Sequence, residues 1–143
     1  MDRAEWWLKV LLRWFGGVSV IAVFPFVMPW RWMTAVHERL GMGLLEHQPV
    51  VEYLARSTSA LCALYGGLLL VLAQDVRRYA RPITYSAITT IAGASIGAVF
   101  GWKAGMPLWW MLGDAASCWL FCGAMLWCQR RIPTASSRGT AGE

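Results

Sequence analysis

At 143 residues, 57% hydrophobic and 15% charged, with a mean hydropathy of +0.45, the chain is too apolar for an ordinary soluble domain, where about 45–50% and 25% are usual. A net charge of +5 would point to nucleic acid in a soluble protein, but here the basic residues stand in short clusters beside apolar stretches, as bilayer topology signals and headgroup contacts do. The apolar stretches are Trp14–Trp30, Ser57–Gln74, Ile83–Trp102 and Gly105–Trp127, and they leave no length for a soluble domain.

At about 1.5 Å of rise per residue, each stretch crosses or nearly crosses a hydrocarbon core roughly 30 Å thick. The expected architecture is all-α: a four-transmembrane-helix bundle in one domain, residues 1–131, with helices over about 6–30, 50–74, 83–102 and 106–128. A short interfacial helix is expected in the outer loop between the first two, and a disordered cytoplasmic tail over 132–143.

The first helix opens with an amphipathic lead-in in which Lys9 and Arg13 reach to the membrane surface beside Trp6, Trp7 and Trp14. Positive charge followed by an apolar run resembles a signal peptide. No small-residue cleavage site follows it, so an uncleaved signal anchor is expected. Gly16 and Gly17 permit close approach of another helix, and Pro25 and Pro29 should kink or end this one, since each lacks the N–H that the preceding turn would bond.

In the outer loop, Met33, Val36 and Leu40 recur at helical spacing, Thr34 is a candidate cap, and Gly41 with Gly43 supplies a stop. His37 and His47, with Glu38 and Glu46, carry metal-binding side chains, but ten residues separate the histidines and no dense ligand motif is present. They are expected to be surface loop residues, and no metal or cofactor is implied.

Pro49 starts the second helix, which carries Glu52, Tyr53 and Arg56; a tight basic turn over Asp75–Pro82 follows. In the third, Gly93, Gly97, Gly101 and Gly105 recur every four residues, a glycine zipper that would let a partner backbone come close. Whether that seam meets a neighbour in the bundle or a second copy is left open by spacing. The fourth helix starts at Pro107 and ends before Gln129–Arg131.

Nine of the thirteen Lys and Arg residues fall on one side of a four-pass chain: Arg3, Lys9, Arg13, Arg77, Arg78, Arg81, Arg130, Arg131 and Arg138. That bias predicts both termini in the cytoplasm, and a bacterial inner membrane is the expected location. Nine of the ten tryptophans lie toward the ends of the spans, as an aromatic belt requires, and Trp119 falls near mid-membrane.

Ionisable groups within the spans are the strongest functional pointers. Arg56 and Asp114 each lie about 9–10 Å below the outer surface by helix rise, so an ion pair between them is expected to be feasible, with Glu52 sharing the guanidinium. Tyr53, Ser57, Ser59 and Ser117 would complete a polar pocket open to the outside. Cys118 and Cys122 stand one turn apart and could face Cys62; packing as small hydrophobes is the favoured role of these and of Cys128. Phosphate loops, nucleophile elbows and zinc-protease signatures are missing, so no catalytic residue is assigned.

In the stretches VEYLARSTSALCALYGGLLL, residues 51–70, and GMPLWWMLGD, residues 105–114, the chain resembles small bacterial four-helix membrane proteins of unknown function, similar in build to the DoxX-like group. The resemblance covers the four spans and implies no catalytic residue. Two roles are therefore expected: a structural or accessory subunit acting through helix packing, alone with the lipid bilayer, in a homo-oligomer or in a larger membrane complex; or a small carrier or ligand-binding protein built on Arg56 and Asp114.

Overall fold

The computed structural model describes residues 2–44 and 47–132, all of whose regular structure is helical. The order is α1 (Arg3–Val20), α2 (Val23–Val27), α3 (Trp30–Arg39), α4 (Pro49–Leu72), α5 (Ala80–Lys103) and α6 (Leu108–Arg130). Four spans are long and apolar enough to cross a membrane: Arg3–Val27, which joins α1 and α2, then α4, α5 and α6. Only 11–28% of the most apolar window of each is buried inside the chain. Side chains such as Leu61, Leu64, Ile96, Phe100, Leu112 and Leu120 point outward, an arrangement suited to lipid and unsuited to water. The chain is a multi-pass membrane protein by this measure.

The first expected helix is divided in two. Pro25 cannot donate to the Ile21 carbonyl, which instead accepts the Phe24 N–H at 2.9 Å, and the chain turns through Ile21 and Ala22. Pro29 takes an extended conformation and sets α3 off on its own path.

Two helices end as their glycines require. After α3, Gly41 has φ of 71°; its N–H bonds the Glu38 carbonyl and that of Met42 the His37 carbonyl. After α5, Gly105 has φ of 76°, with Gly105 N–H on Trp102 and Met106 N–H on Gly101. Both are paired closures of the last turn around a left-handed residue. Gly105 is therefore a helix stop and not the last member of a packing seam. Thr34 is likewise no cap: its hydroxyl donates to Arg31 O within α3.

The tightest core lies where α1 and α5 begin and where α4 and α6 end, here the basal end. Leu8 and Leu12 from α1 meet Leu69, Leu72, Ala73 and Val76 from α4 and its turn, with Ile83 of α5 and Met125 and Cys128 of α6. Ile132, the first residue of the expected tail, packs against this cluster; residues 133–143 lie outside the described residues, as does Glu46. α1 sits between α4 and α6, α5 packs along α6, and α4 touches α5 only slightly. Phe15 and Phe121 stack at 5.4 Å across α1 and α6. At the basal surface Arg77 holds Asp2 and Glu5 at 3.2 and 3.1 Å, tying the start of α1 to the α4–α5 turn.

The close crossing of α1 and α4 is made by Gly16 and Gly66, both buried. The expectation that Gly16 admits a neighbouring helix is met there, whereas Gly17 faces open space.

Candidate functional site

Toward the opposite, distal end, Arg56 is held by local spacing. Glu52 and Arg56 are four residues apart on α4 and so share a face. Arg56 Nε and Nη2 both donate to Glu52 Oε1, at 3.0 and 2.8 Å. The other carboxylate oxygen, Oε2, lies 3.0 Å from His47 Nε2, and the His47 ring stands 5.0 Å from that of Trp30.

The remaining guanidinium arm explains why an arginine stands here. Arg56 Nη1 donates to the Phe26 carbonyl at 2.6 Å. In an unbroken helix that carbonyl would accept from residue 30, but Met28 and Pro29 are extended, with ψ of 137° and 141°, and carry the chain away. Arg56 thus caps the end of α2 from another helix, where a cation is also favoured by the helix dipole. The cluster joins α2, α4 and the loop before α4 into one hydrogen-bonded unit.

Asp114 is not part of it. Its side chain is exposed on α6, in a recess of about 310 Å³ with Trp109, Trp110, Gly113 and Ser117, and it has no ion pair among the described residues. Ser117 turns its hydroxyl back to the Asp114 carbonyl at 2.8 Å. Arg56 and Asp114 are kept apart because α4 and α6 pack on α1 rather than extensively on each other. Tyr53 is exposed, and Ser57 and Ser59 are half-buried on α4.

The glycines of α5 divide in the same way. A Cβ on Gly101 would meet Met111 Sδ of α6 at 2.9 Å, so this position serves the α5–α6 contact. Gly93 and Gly97 have nothing within 4 Å of such an atom and are exposed. Among the described residues, only Gly101 of the four glycines expected in the seam receives a neighbour.

The loop histidines have separate tasks. His37 Nδ1 lies 3.0 Å from Gly43 O and pins the loop, while His47 serves Glu52. No group of three metal-ligating side chains forms among the described residues. Cys62 points outward, whereas Cys122 and Cys128 are buried.

One polar joint was not singled out by spacing. The Tyr65 hydroxyl of α4 lies 2.6 Å from Ser86 Oγ and 2.8 Å from Thr90 Oγ1 of α5, the main polar link between two helices that otherwise barely touch. Ser86 and Thr90 one turn apart, opposite a tyrosine in an apolar run, are the signal that could have found it. Trp119, near mid-span, has its indole N–H satisfied by Ser95 Oγ at 3.1 Å.

The chain matches no family model, no curated protein and no solved structure.

Proposed function

We propose that this chain is a structural or accessory membrane subunit that works by helix packing, with the exposed Gly93–Gly97 face of α5 receiving another transmembrane helix. The open space over Gly93 and Gly97 carries this reading. Between membrane helices, small residues allow backbones to approach, and dispersion and Cα–H contacts then act at short range. The helix received belongs either to a second copy or to a different membrane protein.

The setting proposed is a bacterial inner membrane with both termini cytoplasmic and α3 on the outer surface. Support comes from the basic residues gathered at the basal end, where α1 begins and α6 ends.

The test is the mass of the native complex in mild detergent. Gly97→Leu should release a partner or reduce a homo-oligomer to its protomer without unfolding the chain, because none of the described residues occupies that space. An unchanged complex would sink the proposal. The carrier reading keeps one supporting observation, the Asp114 carboxylate in its recess, without an ion pair among the described residues. It has lost the arginine as counter-charge, since three of the five guanidinium N–H groups of Arg56 are already engaged.

A further inference from the structure

An open groove of about 710 Å³ lies between the basal parts of α5 and α6. Its lining combines two chemistries. Tyr85, Ile88 and Leu126 form an apolar stretch, and Arg81 and Arg130 join it from the first turn of α5 and the last turn of α6. The polar groups between them are satisfied internally: Thr84 Oγ1 lies 3.0 Å from Ala80 O and 2.9 Å from Gln129 Oε1, with its single proton serving one or the other, and Gln129 Nε2 donates to Ala80 O.

The two arginines differ from their neighbours at this end. Arg77 is held by Asp2 and Glu5, Arg78 lies 5.7 Å from the Tyr79 ring centre, and Arg131 lies 4.3 Å over Trp127. Arg81 and Arg130 are exposed and form no ion pair among the described residues. Two guanidinium groups without an ion-pair partner among the described residues therefore border an apolar channel at the end of two membrane spans.

We infer that this groove holds an anionic phospholipid of the surrounding bilayer, its phosphate between Arg81 and Arg130 and an acyl chain along Tyr85, Ile88 and Leu126. Guanidinium groups present paired N–H donors to phosphate oxygens, and the positive N-terminal end of α5 favours the same charge. Basic pockets between transmembrane helices have this preference for anionic headgroups. A zwitterionic lipid brings its own cation and gains less from the arginines. A free phosphate leaves the apolar stretch unused. The site rests on the four helices being membrane spans and is independent of the Gly93–Gly97 face.

The test is native mass spectrometry of the full chain in mild detergent, titrated with phosphatidylglycerol, with phosphatidylcholine of the same acyl chains, or with inorganic phosphate. Phosphatidylglycerol should form a saturable adduct that neither of the others forms at equal concentration. The double variant Arg81→Ala/Arg130→Ala should bind it about 100-fold more weakly, since each direct hydrogen bond to a charged group contributes about a factor of ten or more. Arg78→Ala/Arg131→Ala, with the same change in charge at the same end, should bind as the parent does. Ile88→Trp should weaken binding with both arginines in place, because it fills the groove, and it decides the matter alone if the double alanine variant does not fold. Equal losses in the two double variants, undiminished binding to Ile88→Trp, or equal binding of the two lipids would overturn the site.

Discussion

Gly16 and Gly66 face each other so closely that a Cβ on Gly66 would lie 2.6 Å from the Gly16 carbonyl oxygen and 2.7 Å from the Val20 nitrogen. Both obstacles are backbone, so no rotamer change relieves them. Gly66→Ala should therefore push α1 and α4 apart and destabilise the bundle by about 1–3 kcal/mol, the usual range for overpacking. Gly67→Ala is the control. It has open space, and its higher helix propensity should leave stability unchanged or raise it by up to about 1 kcal/mol. Thermal unfolding in one detergent, followed by circular dichroism, compares the two. Equal behaviour would show that the crossing is not set by glycine.

The contrast between these adjacent residues shows what sequence can disclose. Apolar length, proline positions and glycine stops act within a few residues of chain, so the spans, the interruption at Pro25 and the end of α3 were legible. Glu52 with Arg56 was legible for the same reason, being one helical turn apart. Arg56 with Asp114 was expected from matched depth, but depth along a helix leaves its rotation and its neighbours undetermined. Gly105 was misread because a packing seam and a left-handed helix stop both favour glycine, and the interval of four from Gly101 suited either. The Phe26 carbonyl was invisible as a site because it is backbone, exposed only by the departure of the chain at Met28 and Pro29.

Tyr65→Phe tests the joint between α4 and α5. The ring is retained, but Ser86 and Thr90 lose the hydroxyl that both approach, and Ser86 is buried. Hydrogen bonds between membrane helices contribute about 0.6 kcal/mol on average, so a loss of about 1 kcal/mol is expected for this double contact. Amide exchange should rise in α4 and α5 around these residues and stay unchanged at the α1–α4 crossing. Uniform acceleration, or none, would remove Tyr65 from this role.

Arg56→Lys should destabilise the α2–α4 unit nearly as much as Arg56→Ala, although it keeps the charge. A lysine ammonium is a compact point donor and cannot span Glu52 Oε1 and the Phe26 carbonyl as the guanidinium fork does. The expected loss is about 1–3 kcal/mol, for an orphaned carbonyl and a carboxylate that loses its forked partner. With both Arg56 and Glu52 side chains about 30% exposed, the ion pair itself contributes little of it, so high salt should not reproduce the effect. Asp114→Asn should leave thermal stability unchanged, because no cation faces that carboxylate among the described residues. Were Asp114→Asn to destabilise the fold as strongly as Arg56→Ala, the two residues would be partners after all. Were Arg56→Lys to match the parent, charge rather than the capped α2 carbonyl would be what Arg56 provides.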